Sequence, residues 1–161
     1  MGLGVLQVGG IQPSETRPQV VARLVQGLRE GKGRGADFVV FPELTLTTFF
    51  PRYWVDDIQD MNHHYETDMP SAQTAPLFEE AKELGVGFCL GYAELTPDGR
   101  RFNTAITVDR AGRISGKYRK IHLPGHANNI ADRKHQHLEK RYFEVGDLGF
   151  GVFNTDGVNI G

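Results

Sequence analysis

The sequence contains a single cysteine, Cys89. One cysteine excludes an internal disulfide and favours a reducing compartment. No apolar run approaches the roughly 20 residues that a membrane-spanning helix needs, and the first residues lack the basic region of a signal peptide. The formal net charge is only -2, which gives no overall attraction to nucleic acid or to an acidic membrane surface. We therefore expect a cytoplasmic protein that has neither of these as a partner.

Two segments have the spacing of amphipathic helices. Apolar residues recur at helical intervals from Val20 to Leu28, behind a possible cap at Ser14 or Thr16 and with Pro18 in the first turn. This pattern predicts a helix that begins near Arg17 and ends at the glycines numbered 31, 33 and 35. A second helix is predicted for residues 75–84.

Short apolar segments between these helices predict strands. They cover residues 3–8, 38–41, 86–92, 103–108 and 114–118. The segment 38–41 is wholly apolar, which is typical of a strand buried on both faces. A turn at 109–112 joins the last two strands. The alternation of strands and helices, followed by a hairpin, predicts an α/β fold with a mixed sheet.

The final residues predict another hairpin. Segments 150–153 and 158–161 flank Asn154–Gly157, where the Asp-Gly pair is a strong turn signal. The second of these strands has hardly begun where the sequence stops. We therefore expect residues 1–161 to form a single domain that is truncated at its C-terminal end.

Two charged residues stand at the ends of predicted strands. Glu43 follows the wholly apolar strand, at the end where α/β folds place their sites, and could act as a general base. Lys120 follows the strand that starts at Ile114, and alternation puts it on the face opposite Arg119. An ammonium group in a cleft stabilises a developing oxyanion. The alternatives are an exposed loop glutamate and a solvated strand end.

The other candidates for chemistry are weaker. Pairs of histidines occur at spacings that metal sites use, at His122, His126, His135 and His137. Pro124 and Gly125 prevent the helix that would bring the first pair to one face, so no metal is expected. His63 and His64 are interpreted as exposed surface residues. Cys89 lies between Phe88 and Leu90 in an apolar strand, so we interpret it as a core residue and not as a nucleophile.

Several segments together resemble a known family. Glu43 ends the segment Phe41–Glu43, and Lys120 lies in Arg119–Leu123. Both segments are similar to motifs of the nitrilase superfamily of carbon–nitrogen hydrolases. Segments 44–54, 101–104 and 137–144 are similar to its N-carbamoyl-D-amino-acid hydrolase branch (D-carbamoylases). Residues 126–135 depart from that branch, since they lack its aromatic and proline residues.

The resemblance implies a fold and a set of site residues. The fold would be the N-terminal half of an αββα sandwich, with helices on one face of a mixed sheet. Glu43 would be the general base, Lys120 would hold the oxyanion, and Glu139 would orient Lys120. His122 and His137 would support the pocket through hydrogen bonds. The nucleophilic cysteine would lie a few residues beyond the end of this sequence.

The resemblance also implies a reaction. An N-carbamoyl-D-amino acid would be hydrolysed to the D-amino acid, ammonia and carbon dioxide through a carbamoyl group bound to cysteine. No metal or organic cofactor would be needed, and the complete protein would form a homo-oligomer. Two alternatives remain open: a related amidase or nitrilase of the same superfamily, or a non-catalytic truncated homologue.

Overall fold

One mixed β-sheet forms the centre of the molecule. The computed structural model describes all 161 residues. The five strands are adjacent in chain order: β1 (Leu3–Val5), β2 (Phe38–Val40), β3 (Gly87–Leu95), β4 (Arg101–Val108) and β5 (Ile114–Arg119). Strands β1, β2 and β3 are parallel, whereas β3, β4 and β5 are antiparallel. The predicted mixed α/β fold is confirmed.

Two helices cover one face of this sheet. Helix α1 spans Arg17–Gly33 and helix α2 spans Ala75–Leu84, where Gly85 ends it in the left-handed conformation with φ of 61°. Helix α2 has the predicted bounds, and α1 ends at Gly33, within the group of glycines predicted to end it. Gly31, the first of that group, lies inside the last turn of the helix. A Cβ atom on Gly31 would lie 2.9 Å from Val39 Cγ2. This glycine therefore allows close packing of the helix on β2 and does not end the helix.

The main core lies between the helices and the sheet. Alternate residues of β3 and β4 point towards the helices, and Phe88 meets Phe78 of α2 edge-to-face at 5.3 Å between ring centroids. Burial of each such large side chain contributes about 1.5–3 kcal/mol. The strand and helix residues of this cluster include Val21, Leu24, Leu28, Val39, Leu77, Phe78, Ala81, Phe88, Leu90, Ile106 and Val108. No helix has the length and apolar composition needed to cross a membrane.

A second, smaller core lies on the other face of the sheet. It joins the 3-10 turns Phe50–Arg52 and Ile58–His64 to the short helix α3 (Glu139–Tyr142). Its buried members are Leu44, Phe50, Met61, Tyr65, Ala93, Leu138, Tyr142 and Phe143. The Tyr65 hydroxyl donates a hydrogen bond to the carbonyl of Tyr142 at 2.9 Å. This cluster anchors α3, which begins with Glu139.

The terminal segments differ in detail from the prediction. The hairpin consists of β6 (Phe153–Thr155) and β7 (Val158–Ile160). Its turn is only two residues long, because Asp156 and Gly157 adopt φ values of 52° and 81°. The first hairpin strand therefore starts later than predicted. Strand β1 ends at Val5 and not at residue 8, since the chain then turns towards α1.

Candidate active site

The backbone after β2 brings Glu43 onto the sheet face opposite the helices. The segment crosses β3 there, and the Thr45 N–H donates to the Gly91 carbonyl at 2.9 Å. A Cβ atom on Gly91 would lie 3.0 Å from Glu43 Cα, so the glycine allows the close crossing. Leu44 has a φ of 48°, which is uncommon for a residue other than glycine. The Glu43 side chain nevertheless stays 46% exposed.

Lys120 reaches the same face of the sheet from the edge strand β5. It directly follows β5, and its N–H donates to the carbonyl of Asn103 in β4 at 2.8 Å. Its Nζ donates to Glu43 Oε1 at 2.6 Å. Arg119 turns the other way and bonds Glu94 on the helix-covered face. Strand alternation therefore separates these two basic residues as predicted.

Glu139 completes a cluster of three charged side chains. Its Oε2 accepts a hydrogen bond from Lys120 Nζ at 2.9 Å, and only 2% of its side chain is exposed. His137 Nε2 lies 3.2 Å from Glu139 Oε1. A buried carboxylate is costly unless it is paired and hydrogen-bonded. Lys120 supplies that compensation, so Glu139 and Lys120 depend on each other.

The two carboxylates keep Lys120 charged. Burial disfavours the ammonium form, but the hydrogen bonds to Glu43 and Glu139 outweigh that effect and raise the pKa of Lys120 above its usual value. An ammonium group has three N–H donors. Two are used by these carboxylates, which leaves one for a further acceptor. The cluster thus offers an exposed carboxylate beside a fixed cation.

The chain as a whole matches a known family. Residues 4–161 match the family model for the carbon-nitrogen hydrolases. The chain belongs to the carbon-nitrogen hydrolase family. Its fold is similar to that of the carbon-nitrogen hydrolase from Helicobacter pylori G27, with a TM-score of 0.75 and 24% identity over 96% of this chain and 48% of that one.

A second solved structure shows the same fold. It is a mutant of the amidase from Nesterenkonia sp. AN1 with acrylamide added at its active site cysteine. The TM-score is 0.72 and the identity is 17%, over 98% of this chain and 54% of that one. At such identities the likeness concerns the fold alone.

Three curated relatives of this chain have different names. A nitrilase of Pyrococcus abyssi is 36% identical over 83% of this chain. An N-carbamoylputrescine amidase of Arabidopsis thaliana is 30% identical over 88%, and an omega-amidase of Homo sapiens is 27% identical over 94%. The matches cover 44%, 43% and 50% of these relatives. The chain therefore spans about half of their length or less.

The histidines of the chain have separate surroundings. His137 contacts Glu139, whereas His122 stacks on Phe150 at 5.9 Å between centroids and does not bond the charged cluster. His126 contacts the carbonyl of Asn128, and His135 packs on the Tyr53 ring. Of the two histidines predicted to support the pocket, only His137 lies against the three charged side chains.

Two histidines outside that group also differ from expectation. His63 is exposed, but His64 is half-buried and stacks on Phe50 at 4.7 Å between centroids. The interpretation of His64 as a surface residue was therefore wrong. The 3-10 turn that ends at His64 packs this ring against the second core, which the sequence spacing does not reveal.

Cys89 also lies elsewhere than expected. Alternation along β3 points Phe88 and Leu90 into the main core and turns Cys89 to the opposite face. There it is half-buried in an apolar groove lined by Tyr118, Phe150, Phe153 and Ile160, among others. The prediction that Cys89 is a core residue was wrong. Burial raises the pKa of its thiol, which keeps the thiol protonated at neutral pH.

The sequence interpretation missed one polar member of the site, Asn103. Its Nδ2 donates to Glu43 Oε1 at 2.6 Å, and it lies 3.5 Å from Glu139 Oε2. The side chain is buried in β4, with 5% of the residue exposed. The available signal was a polar residue in a predicted strand. The sequence alone could not use it, because only the pairing of β4 with β5 shows that Asn103 and Lys120 share one face of the sheet.

Proposed function

We propose that this chain supplies the base and the oxyanion-binding cation of an amidase-type hydrolase that cleaves non-peptide carbon–nitrogen bonds. One observation carries the proposal: a single ammonium, Lys120, bonds Glu43 at 2.6 Å and Glu139 at 2.9 Å while Glu43 stays 46% exposed. A structural ion pair needs only one carboxylate. A second, accessible carboxylate on the same cation suits general base catalysis beside an oxyanion site.

In this proposal each residue of the cluster has a role. Glu43 takes the proton of a cysteine thiol, and the thiolate attacks the carbonyl carbon of the substrate. The third N–H of Lys120 donates to the oxyanion that forms, while Glu139 keeps the ammonium in place. Collapse of the tetrahedral species expels ammonia, which receives the proton that Glu43 holds. Glu43 then takes a proton from water, and the hydroxide attacks the thioester carbonyl. The cysteine sulfur leaves and regains its proton from Glu43.

The nucleophile in this scheme is a cysteine outside the chain. Cys89 is a poor candidate because burial keeps its thiol protonated and because it lines an apolar groove. The relatives have about twice the length of this chain, and the Nesterenkonia amidase has an active site cysteine. We therefore treat residues 1–161 as the N-terminal part of a single domain that continues in a longer protein, with the nucleophile soon after Gly161.

The substrate we favour carries an N-carbamoyl group. Segments 44–54 and 137–144 resemble those of D-carbamoylases, and one relative is named for N-carbamoylputrescine. Both substrates present the same monosubstituted urea. Attack with loss of ammonia leaves a carbamoyl-thioester, and its hydrolysis releases a carbamate that decomposes to the amine and carbon dioxide. An N-carbamoyl-D-amino acid is our specific proposal, for a cytoplasmic homo-oligomer.

The test is ammonia release by the complete protein that contains this chain. The substrates are an N-carbamoyl-D-amino acid, its L enantiomer, N-carbamoylputrescine and a simple aliphatic amide. Turnover of the D compound alone supports the specific proposal. Turnover of N-carbamoylputrescine or of the amide supports the alternative of a related amidase. Turnover of none of the substrates supports the non-catalytic alternative.

Substitutions of Glu43 and Lys120 test whether the activity depends on the charged cluster. Glu43→Gln and Lys120→Ala should each remove several orders of magnitude of activity, since nucleophile activation and oxyanion stabilisation act together. Glu83→Gln, on the exposed side of α2, is the matched control and should keep full activity. Activity that survives Glu43→Gln would exclude Glu43 as the base.

A further inference from the structure

Asn103 contacts both carboxylates of the cluster. Its Nδ2 lies 2.6 Å from Glu43 Oε1 and 3.5 Å from Glu139 Oε2. Carboxylate oxygens only accept hydrogen bonds, so the amide must present its NH2 group to them. The amide lies in β4, the strand that also accepts the Lys120 N–H at the Asn103 carbonyl. One residue therefore touches all three charged members of the site.

Asn103 and Lys120 bond the same oxygen of Glu43. Oε1 accepts from Nδ2 of Asn103 and from Nζ of Lys120, both at 2.6 Å. Oε2 has no protein partner among the hydrogen bonds of the structure. Two donors on one oxygen hold the carboxylate in a single orientation and leave the other oxygen for a proton. The free Oε2 is thus the atom that faces an incoming donor.

The two groups that donate hydrogen bonds to Glu43 are not equivalent during a reaction. Lys120 is a cation and also donates to the developing oxyanion, so it has a second role in the reaction. The amide of Asn103 is neutral and has no other role in the site. It is also the only uncharged donor between Glu43 and Glu139, which both carry negative charge. A neutral donor holds a carboxylate without competing for the substrate charge.

We propose that Asn103 is a positioning residue that keeps the Glu43 carboxylate oriented with Oε2 towards the nucleophile and the water. This rests on the proposed function, since the nucleophile and the water belong to that mechanism. Asn103 contacts neither of them and acts through Glu43. Its removal should therefore lower kcat and leave substrate binding almost unchanged.

The variant is Asn103→Leu, which has a similar shape and no donor. The structural measurement is a crystal structure of the complete protein, to see the orientation of the Glu43 side chain. We expect one orientation in the parent protein and a displaced or divided one in Asn103→Leu. The kinetic expectation is a fall in kcat of about 10- to 100-fold, because small misplacements of catalytic groups have such effects, with KM within about threefold.

The matched control is Thr104→Val in the same strand. Thr104 is 1% exposed and donates to Glu94 on the other face of the sheet, at 2.7 Å. It should keep the Glu43 orientation and kcat, so an equal fall in kcat there would show general damage to β4 and overturn the proposal. Asn103→Ala, which is smaller and leaves room for water, replaces the leucine variant if that one does not fold.

The outcomes separate the two proposals. An unchanged Glu43 orientation in the Asn103 variants overturns the positioning role, whatever their activity. A disturbed Glu43 with no measurable activity in the parent protein supports the positioning role and overturns the proposed function. A disturbed Glu43 with a lower kcat and a steady KM supports both.

Discussion

Glu43 Oε1 lies 2.6 Å from Lys120 Nζ, although the two residues are 77 positions apart in the chain. The segment after β2 carries Glu43 across β3 at Gly91, and β5 carries Lys120 to the same face of the sheet. Strands β2 and β5 are not adjacent in the sheet. The ion pair therefore exists only if the crossing at Gly91 and the register of β4 with β5 are both maintained.

Removal of the cation should destabilise the fold. Lys120→Met leaves the Glu139 carboxylate, with 2% of its side chain exposed, without its partner. We expect the free energy of unfolding to fall by about 3 kcal/mol, as for other broken buried ion pairs. The measurement is urea denaturation. The double variant Lys120→Met, Glu139→Gln should recover part of the loss, and Lys140→Met, at an exposed position, should cost little. A Lys120→Met protein as stable as the parent contradicts the prediction.

A methyl group at Gly91 should disturb the site from the backbone side. In Gly91→Ala the added Cβ would lie 3.0 Å from Glu43 Cα and from Leu44 N. We expect a loss of about 1–3 kcal/mol in stability from overpacking, and a fall in activity of about 100-fold from displacement of Glu43. Thermal unfolding and the ammonia assay measure these effects. Gly10→Ala, which has no atom within 4 Å of its added Cβ, should be neutral.

Acid should unfold the protein partly through Glu94. Burial opposes its charged form, but hydrogen bonds from Arg119 and Lys117 outweigh this and lower its pKa to about 2. The unfolded value is about 4.3, so the charged group stabilises the fold above about pH 4 and this contribution is lost as the pH falls towards 2. Urea titrations from pH 2 to 7 should show a flatter profile for Glu94→Gln. An unchanged profile would exclude this role.

His64 should make the stability of the fold depend on pH in a range above that of Glu94. Burial, followed by the charges of His63 and Arg17, lowers the pKa of His64 to about 4. The unfolded value is about 6.5, so between about pH 4 and 6.5 the ring stays neutral in the folded state while the unfolded chain binds a proton. Stability should then fall as the pH drops from about 6.5 towards 4. NMR titration of the ring protons tests the value directly. In denaturation experiments, His64→Gln should lose this pH dependence, and His126→Gln, at a partly exposed position, should keep it.

Cys89 should be chemically inert in the folded protein. Its thiol has a raised pKa and is half-buried, and reaction with thiol reagents requires the thiolate. We expect labelling by a disulfide reagent at pH 7 to be at least 10-fold slower than for a free thiol, and to become fast in urea. Cys89→Ala should keep the activity of the complete protein. Ammonia release by the 161-residue chain alone, abolished by Cys89→Ala, would show that Cys89 is the nucleophile.

The sequence by itself determined the two long helices, the central strands and the fold class. Helix α2 has its predicted bounds, because an apolar face and a following Gly85 are local signals. The wholly apolar segment at β2 and the alternating strands β4 and β5 were likewise readable from neighbouring residues. The motifs around Glu43 and Lys120 indicated the family. Each of these inferences depends only on residues that are close together in the chain.

Tertiary structure alone decided which side chains share a site. Asn103 joins Glu43 because β4 pairs with β3 and because Gly91 lets the segment after β2 cross β3. Cys89 lies outside the core because alternation along β3 points its side chain away from the helices. Its apolar neighbours in the sequence do not set that direction. Residues that are distant in sequence meet only through strand order and register. These depend on the packing of the whole sheet, for which a short segment carries no signal.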